Sequence, residues 1–89
     1  MRPADPRRVA LAVARRIAEL RTERGYTQEE FAERLDVSIQ YLRRVEYAHT
    51  NLTVVQLVRI ANSLGVRPEE LFVKPRTTTI RHGRPPRAT

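Results

Sequence analysis

The feature of this chain that most constrains its fold is a series of closely spaced helix-start signals. Asp5 precedes Pro6, and such a pair combines a capping side chain with a proline at the first helical position. Thr27 is followed three residues later by Glu30, which is the spacing of a capping box. Further starts are indicated at Ser38, at Thr53 with Gln56 as a second capping box, and at Pro68. Because the starts lie close together, the sequence predicts an all-α domain of five short helices.

Apolar residues recur at helical spacing after the start signals and predict one buried face per helix. Gly25 and Gly65 follow the first and fourth runs, where a left-handed residue ends a helix. Asp36 interrupts the second run, and aspartate tolerates the left-handed backbone of a tight turn. The expected core residues are Val9, Val13, Ile17, Leu20, Phe31, Ala32, Leu35, Leu42, Val45, Val54, Leu57, Val58, Ile60, Ala61 and Leu64.

The charge of the chain is unevenly distributed. There are 17 basic and 10 acidic side chains, a net charge of +7, yet residues 73–89 contain five basic side chains and no acidic one. We therefore divide the chain into a folded domain, 1–73, and a basic Pro/Arg-rich tail, 74–89, which we expect to be disordered when unbound. A small basic protein suggests a polyanionic partner, most often nucleic acid, although such charge also serves solubility.

The composition argues against several other classes of function. The chain has no cysteine, so disulfides, thiol catalysis and cysteine-based zinc sites are excluded. His49 and His82 are its two histidines, and neither has a carboxylate at ligand spacing. We expect no metal, no cofactor, no enzymatic activity and no small-molecule substrate. No apolar run approaches the roughly 18 residues of a membrane helix, so we expect no membrane association and a cytoplasmic location.

The segment from Thr27 to Glu46 carries the functional prediction. It contains two short capped helices separated by a tight turn, and Ala32 is small enough to allow the helices to cross closely. Val37 and Leu42 are placed to hold the second helix against the first. This is the helix-turn-helix plan, in which the second helix is presented to a groove of DNA.

Residues 17–72 resemble the Cro/repressor-type helix-turn-helix domain, also called Xre-like. The resemblance implies a compact lambda-repressor-like fold in a bacterial or phage protein. Asp36 stands where the family usually has glycine, and Ala48 where it often has a second glycine. The matching signals, in order and at spacing, are Arg21, Thr27-Gln28, Ala32, Ser38, Tyr41-Leu42, Val45-Glu46, Leu57, Ile60-Ala61 and Leu64-Gly65.

The resemblance also implies roles for individual residues. Glutamine pairs with adenine and arginine with guanine, whereas isoleucine offers only an apolar contact, for instance to a thymine methyl group. Arg43 and Arg44 could instead form a solvated cationic face or contact phosphates. The residues implied to contact bases, on or near the start of the recognition helix, are Ser38, Ile39, Gln40, Arg43 and Arg44.

A second set is expected to contact phosphates. Gln28 could equally be a solvated first-turn residue, Tyr41 a half-buried packing residue, and Thr53 a helix cap in addition. The set comprises Thr27, Gln28, Tyr41, Thr50, Asn51 and Thr53. The resemblance further implies a structural ion pair between Arg21 and Glu46.

The tail contains His82-Gly83-Arg84-Pro85, which looks like the Arg-Gly-Arg-Pro core of an AT-hook with the first arginine replaced. Arg81, Arg84 and Arg87 are the tail residues expected to contact DNA, by minor-groove binding or by nonspecific phosphate affinity. A passive extension, or a peptide bound by another protein, is the alternative.

These observations predict a sequence-specific transcriptional regulator. One such domain makes few base contacts, so we expect a homodimer on a pseudo-palindromic site in double-stranded DNA, associated with the nucleoid. Leu71, Phe72 and Val73 are the candidate dimer contacts, although Leu71 and Phe72 could merely close the monomer core. Phage repressors, solitary regulators and restriction–modification controllers are the single-domain classes it resembles. The alternative function is an antitoxin or partner-binding module whose tail wraps another protein.

Overall fold

The computed structural model describes residues 2–76, which form four α-helices and one 3-10 helix. The α-helices are α1 (Pro6–Glu23), α2 (Gln28–Leu35), α3 (Ile39–Glu46) and α4 (Val54–Leu64). The expectation of a fifth α-helix is wrong, because Pro68–Phe72 forms a 3-10 helix. This segment has five residues, and Arg67 at its start makes no side-chain capping bond. So short a segment closes in the tighter i to i+3 pattern.

The α-helices begin where the sequence indicates. Asp5, Thr27, Ser38 and Thr53 each accept a hydrogen bond from a first-turn backbone N–H group. The box at Thr27 is complete, since the Glu30 carboxylate accepts from the Thr27 N–H group at 2.8 Å. At Thr53 the expected capping box is only half formed. The Thr53 hydroxyl accepts from the Gln56 N–H group at 3.1 Å, but the Gln56 side chain contacts Tyr41 and Arg59 instead of the Thr53 backbone.

All four α-helices end on a left-handed residue, namely Gly25, Asp36, Ala48 and Gly65. At the end of α3, the Ala48 N–H group donates to Val45 and the His49 N–H group donates to Arg44. This pair of reversed bonds is a Schellman motif and satisfies carbonyl groups that the helix leaves free. Ala48 has φ 59°, where an L-residue is disfavoured, so the chain adopts the turn that glycine often provides in the related family.

One hydrophobic core joins the helices. Ile17, Phe31, Leu42 and Leu64 are among its buried members. Leu71 from the 3-10 helix is also fully buried, which removes it from the predicted dimer contacts. Three expected core residues are instead exposed, because they lie on the outer edges of their helices: Val9, Val54 and Val58.

A buried arginine fastens the 3-10 helix to α1. The Arg16 guanidinium donates to the Glu70 carbonyl at 2.9 Å, to the Glu70 carboxylate at 3.2 Å and to Glu19 at 2.8 Å. Glu19 also accepts from the Arg76 N–H group at 2.8 Å, so Arg76, within the predicted tail, contacts α1. The rest of the tail, 77–89, lies outside the described residues. Within the described part of the chain, none of the helices has the length and apolar content needed to cross a membrane.

Candidate nucleic-acid interface

Helix α3 presents a polar face outward and an apolar face inward. Leu42, Val45 and Glu46 are buried. The exposed residues of the helix and its cap are Ser38, Gln40, Arg43 and Arg44. Four of the five residues predicted to contact bases therefore share one accessible surface, and three of them carry side chains long enough to reach base edges.

Ile39 and Tyr41 differ from that group because both are half-buried against the core. The packing interpretation of Tyr41 therefore holds for its ring. Its hydroxyl remains a polar group at the edge of the helix, and the Arg44 guanidinium lies 6.0 Å from the centre of the ring. The apolar base contact expected of Ile39 stays a prediction.

Arg21 and Glu46 form a buried ion pair beneath α3. The guanidinium donates to the two carboxylate oxygens at 2.6 and 3.1 Å, and neither side chain is exposed. Arg21 also donates to the Tyr26 carbonyl at 2.8 Å. Since burial of charges is costly unless they are paired and hydrogen-bonded, this network fixes the last turn of α3 against α1.

Gln28 belongs to the same network. Its side chain is buried, and its amide donates to the Glu46 carboxylate at 3.0 Å. The Arg43 Nε group lies 3.5 Å from the Gln28 amide oxygen, a long contact that links the buried network to the exposed face of α3. The interpretation of Gln28 as a solvated first-turn residue is therefore wrong. Its amide is also not free to meet a phosphate in this structure, and the phosphate contact remains a prediction.

A second series of polar contacts links α3 to α4, and no sequence motif indicates it. The Gln56 amide donates to the Tyr41 hydroxyl at 3.1 Å, and its oxygen accepts from Arg59 at 3.1 Å. Arg59 in turn donates to the Leu35 carbonyl, at the end of α2, at 2.9 Å. The sequence indicates only a capping role for Gln56, because local spacing does not reveal its partner on α3.

The chain between α3 and α4 supplies the remaining predicted phosphate contacts. Asn51 and Thr53 are exposed and Thr50 is half-buried. Thr53 caps α4, and the Tyr41 hydroxyl accepts from the side chain of Gln56 in the first turn of the same helix. Thr27, with its side chain in the capping box, marks the start of α2.

Side chains of α3 consequently reach the first turns of two other helices. Arg43 contacts Gln28 at the start of α2, and Tyr41 contacts Gln56 in the first turn of α4. A helix N-terminus carries free N–H groups and partial positive charge, both of which favour anions. Arg81, Arg84 and Arg87, predicted to add cationic contacts, lie outside the described residues. Among residues 2–76, no group of three or more His, Cys, Asp or Glu side chains is arranged to hold a metal ion.

Comparison with known proteins identifies a family and several relatives with similar sequences. The model of the helix-turn-helix family HTH_3 matches residues 17–71. An HTH-type transcriptional regulator of Sinorhizobium fredii, y4dJ, is 44% identical over 59 residues, which are 66% of this chain and 77% of that protein. The HTH-type transcriptional regulator RamB of Mycobacterium tuberculosis is 41% identical over 54 residues, 61% of this chain, but the match spans only 11% of RamB.

Two of the solved structures that share the fold are each 32% identical in sequence to this chain. The restriction–modification controller C.AhdI of Aeromonas hydrophila has a TM-score of 0.67 and 32% identity, covering 71% of this chain and 96% of its own. SinR, a master regulator of biofilm formation solved in complex with DNA, has a TM-score of 0.62 and 32% identity, covering 66% of this chain and 95% of its own. By the family match and the y4dJ relative, this chain belongs to the Cro/repressor-type, or Xre-like, helix-turn-helix family.

Proposed function

We propose that this protein is a sequence-specific DNA-binding transcriptional regulator that inserts α3 into the major groove. The observation that carries the proposal is the accessible face of Gln40, Arg43 and Arg44 on a helix flanked by two N-termini. The family match and the relatives described as transcriptional regulators support the same function. SinR, described in complex with DNA, supports DNA as the partner.

The side chains of α3 suit direct readout of bases. Gln40 can form a bidentate pair with adenine, and Arg44 can do the same with guanine O6 and N7. Arg43 lies close to Gln28 and is therefore suited to either a base or the phosphate beside α2. Ser38 and Ile39 sit at the start of the helix, where recognition helices approach base edges.

Phosphate contacts on both sides of α3 would fix the depth and register of the helix in the groove. On the α2 side we assign Thr27 and the first-turn N–H groups, with Gln28 contributing only if it exchanges its bond to Glu46 for one to a phosphate. On the α4 side we assign Tyr41, Thr50, Asn51 and Thr53. The tail arginines would add affinity that is independent of sequence.

A homodimer would bring two recognition helices to half-sites about 34 Å apart on one face of the DNA. Phe72 and Val73 are the contacts we propose for it, since 59% of the Phe72 surface and 46% of the Val73 surface are exposed beside the 3-10 helix. Such a regulator would act on DNA in the cytoplasm, associated with the nucleoid.

The proposal is tested by selection of DNA with the purified full chain. Random duplexes and genomic fragments are bound at about 150 mM salt, a concentration that suppresses purely electrostatic binding, and the retained DNA is sequenced. An enriched inverted repeat is the expected result. Retention of bulk DNA with no enriched sequence would contradict sequence-specific recognition, and a single unrepeated half-site would contradict the dimer.

A further inference from the structure

We infer that Gln56 is a positioning residue for DNA binding: it orients the Tyr41 hydroxyl as a hydrogen-bond donor toward a phosphate. The inference rests on the proposed DNA-binding function and assigns Gln56 and Arg59 a part in DNA binding, which the sequence motifs do not give them. The evidence is a set of hydrogen bonds that starts at Arg59. Arg59 donates to the Leu35 carbonyl, which anchors it, and to the Gln56 side chain, and Gln56 in turn donates to the Tyr41 hydroxyl.

The direction of the chain is set by Arg59. A guanidinium group can donate but cannot accept hydrogen bonds, so the group it contacts on Gln56 must be the amide oxygen. That oxygen lies 3.1 Å from Arg59 Nη1, and the amide nitrogen is thereby turned toward Tyr41. Arg59 is itself anchored through a second nitrogen to the Leu35 carbonyl at 2.9 Å.

The amide nitrogen of Gln56 can only donate, so the Tyr41 hydroxyl oxygen is the acceptor in the 3.1 Å contact between them. The contact therefore occupies a lone pair of the oxygen and leaves the phenolic proton for an acceptor outside the chain of bonds. A phosphate oxygen is such an acceptor. The side chain that holds the hydroxyl, Gln56, belongs to the first turn of α4.

Polarisation by the hydrogen bonds from Arg59 and Gln56 makes the Tyr41 O–H group a stronger donor. The bond from Arg59 to Gln56 and the bond from Gln56 to Tyr41 are donated in the same direction, beginning at a charged guanidinium, and consecutive bonds of this kind reinforce one another. A tyrosine with no such partner would rotate its O–H group among several directions. Gln56 thus converts a half-buried packing residue into a directed phosphate contact.

The test is a double-mutant cycle on DNA affinity in the full chain. Gln56→Glu keeps the size of the side chain and its contact with Arg59, but a carboxylate accepts the phenolic proton and withdraws it from the phosphate. Asn62→Asp, on an exposed position of the same helix, is the control for added charge. Each variant is made with and without Tyr41→Phe, and affinity is measured for a nonspecific 25-base-pair duplex at low salt.

With Tyr41 present, Gln56→Glu should lower affinity by about tenfold relative to Asn62→Asp, which is the size of one lost hydrogen bond to a charged group. In the Tyr41→Phe background, the affinities of the Gln56→Glu and Asn62→Asp variants for the duplex should differ by less than about twofold. Thermal unfolding should show that Gln56→Glu retains stability, since the carboxylate still links Arg59 to Tyr41. A merely structural role predicts the reverse, with stability lost and affinity preserved.

Two results would overturn the inference in different ways. An equal effect of Gln56→Glu in both backgrounds, in a protein that binds the duplex, would exclude action through the Tyr41 hydroxyl while leaving the DNA-binding function intact. Failure of the unaltered chain to bind any duplex at low salt would overturn the proposed function and the inference with it.

Discussion

The Arg21 guanidinium donates to both carboxylate oxygens of Glu46, at 2.6 and 3.1 Å, and neither side chain is exposed to solvent. The pair joins the last turn of α1 to the last turn of α3, and Gln28 and the Tyr26 carbonyl complete it. The recognition helix is therefore held from beneath by charge as well as by the apolar core.

Glu46→Leu should lower the free energy of unfolding by about 3–5 kcal/mol, because it leaves the Arg21 charge buried without a partner. The double change Arg21→Met with Glu46→Leu should cost less than the sum of the single changes, since no buried charge remains and at most two neutral groups lose a partner. Urea unfolding of the four proteins measures the coupling. Additive costs would mean that the pair does not act as a unit.

Much of the local backbone could be predicted from the sequence. Thr27 and Glu30 lie three residues apart, and Asp36 and Gly65 each mark a helix end, so these features depend on neighbours in the chain. The surroundings of Gln28 could not be predicted, because its partner Glu46 is 18 residues away and on another helix.

The same limit applies to the candidate site. Gln56 has the spacing of a cap residue, yet its side chain is taken by Tyr41, 15 residues earlier. Helical periodicity also does not predict that Leu71 is fully buried while its neighbour Phe72 is exposed. Both lie in a 3-10 helix of only five residues, which is too short to show a periodic pattern. The partner of Gln56 and the burial of Leu71 are set by packing between helices, which the spacing of residues in a single sequence does not reveal.

Ala48→Gly should stabilise the protein by up to about 1 kcal/mol. Ala48 has φ 59°, and glycine relieves a left-handed cost of about 1–2 kcal/mol for an L-residue while losing part of that gain to the entropy of the unfolded chain. Ala10→Gly, within the exposed part of α1, is the matched control and should destabilise by about 0.5–1 kcal/mol. Thermal unfolding compares the two, and a loss of stability in both would contradict the interpretation of the turn.

Gln40→Ala and Arg44→Ala should each weaken binding to the selected site by about 1–3 kcal/mol, as expected for loss of a bidentate base contact. Both residues are exposed, so the melting temperature should be nearly unchanged. Binding is measured on the selected site and on a scrambled duplex. Loss of specificity would appear as convergence of the two affinities, whereas a uniform decrease on both duplexes would assign the residue to phosphate instead.

Phe72→Asp should dissociate the proposed dimer without unfolding the monomer, because the side chain is largely exposed and a charge opposes apolar association. Leu71→Ala is the contrasting variant: a fully buried leucine should cost about 2–5 kcal/mol of stability when truncated. Sedimentation equilibrium at micromolar concentration reports the assembly. A dimer that survives Phe72→Asp and Val73→Asp together would place the interface elsewhere.

Replacing Arg81, Arg84 and Arg87 by glutamine should reduce affinity for all duplexes alike. Each phosphate contact by a cation contributes about 0.9 to the slope of log affinity against log salt, so loss of three contacts should flatten the slope by about 2–3. The matched control replaces Arg7, Arg8 and Arg67, three exposed arginines outside the proposed interface, and changes the net charge equally. If both triple variants alter the slope to the same extent, total charge rather than the tail governs nonspecific binding. A slope that changes only in the tail variant would identify the tail as a DNA-binding arm.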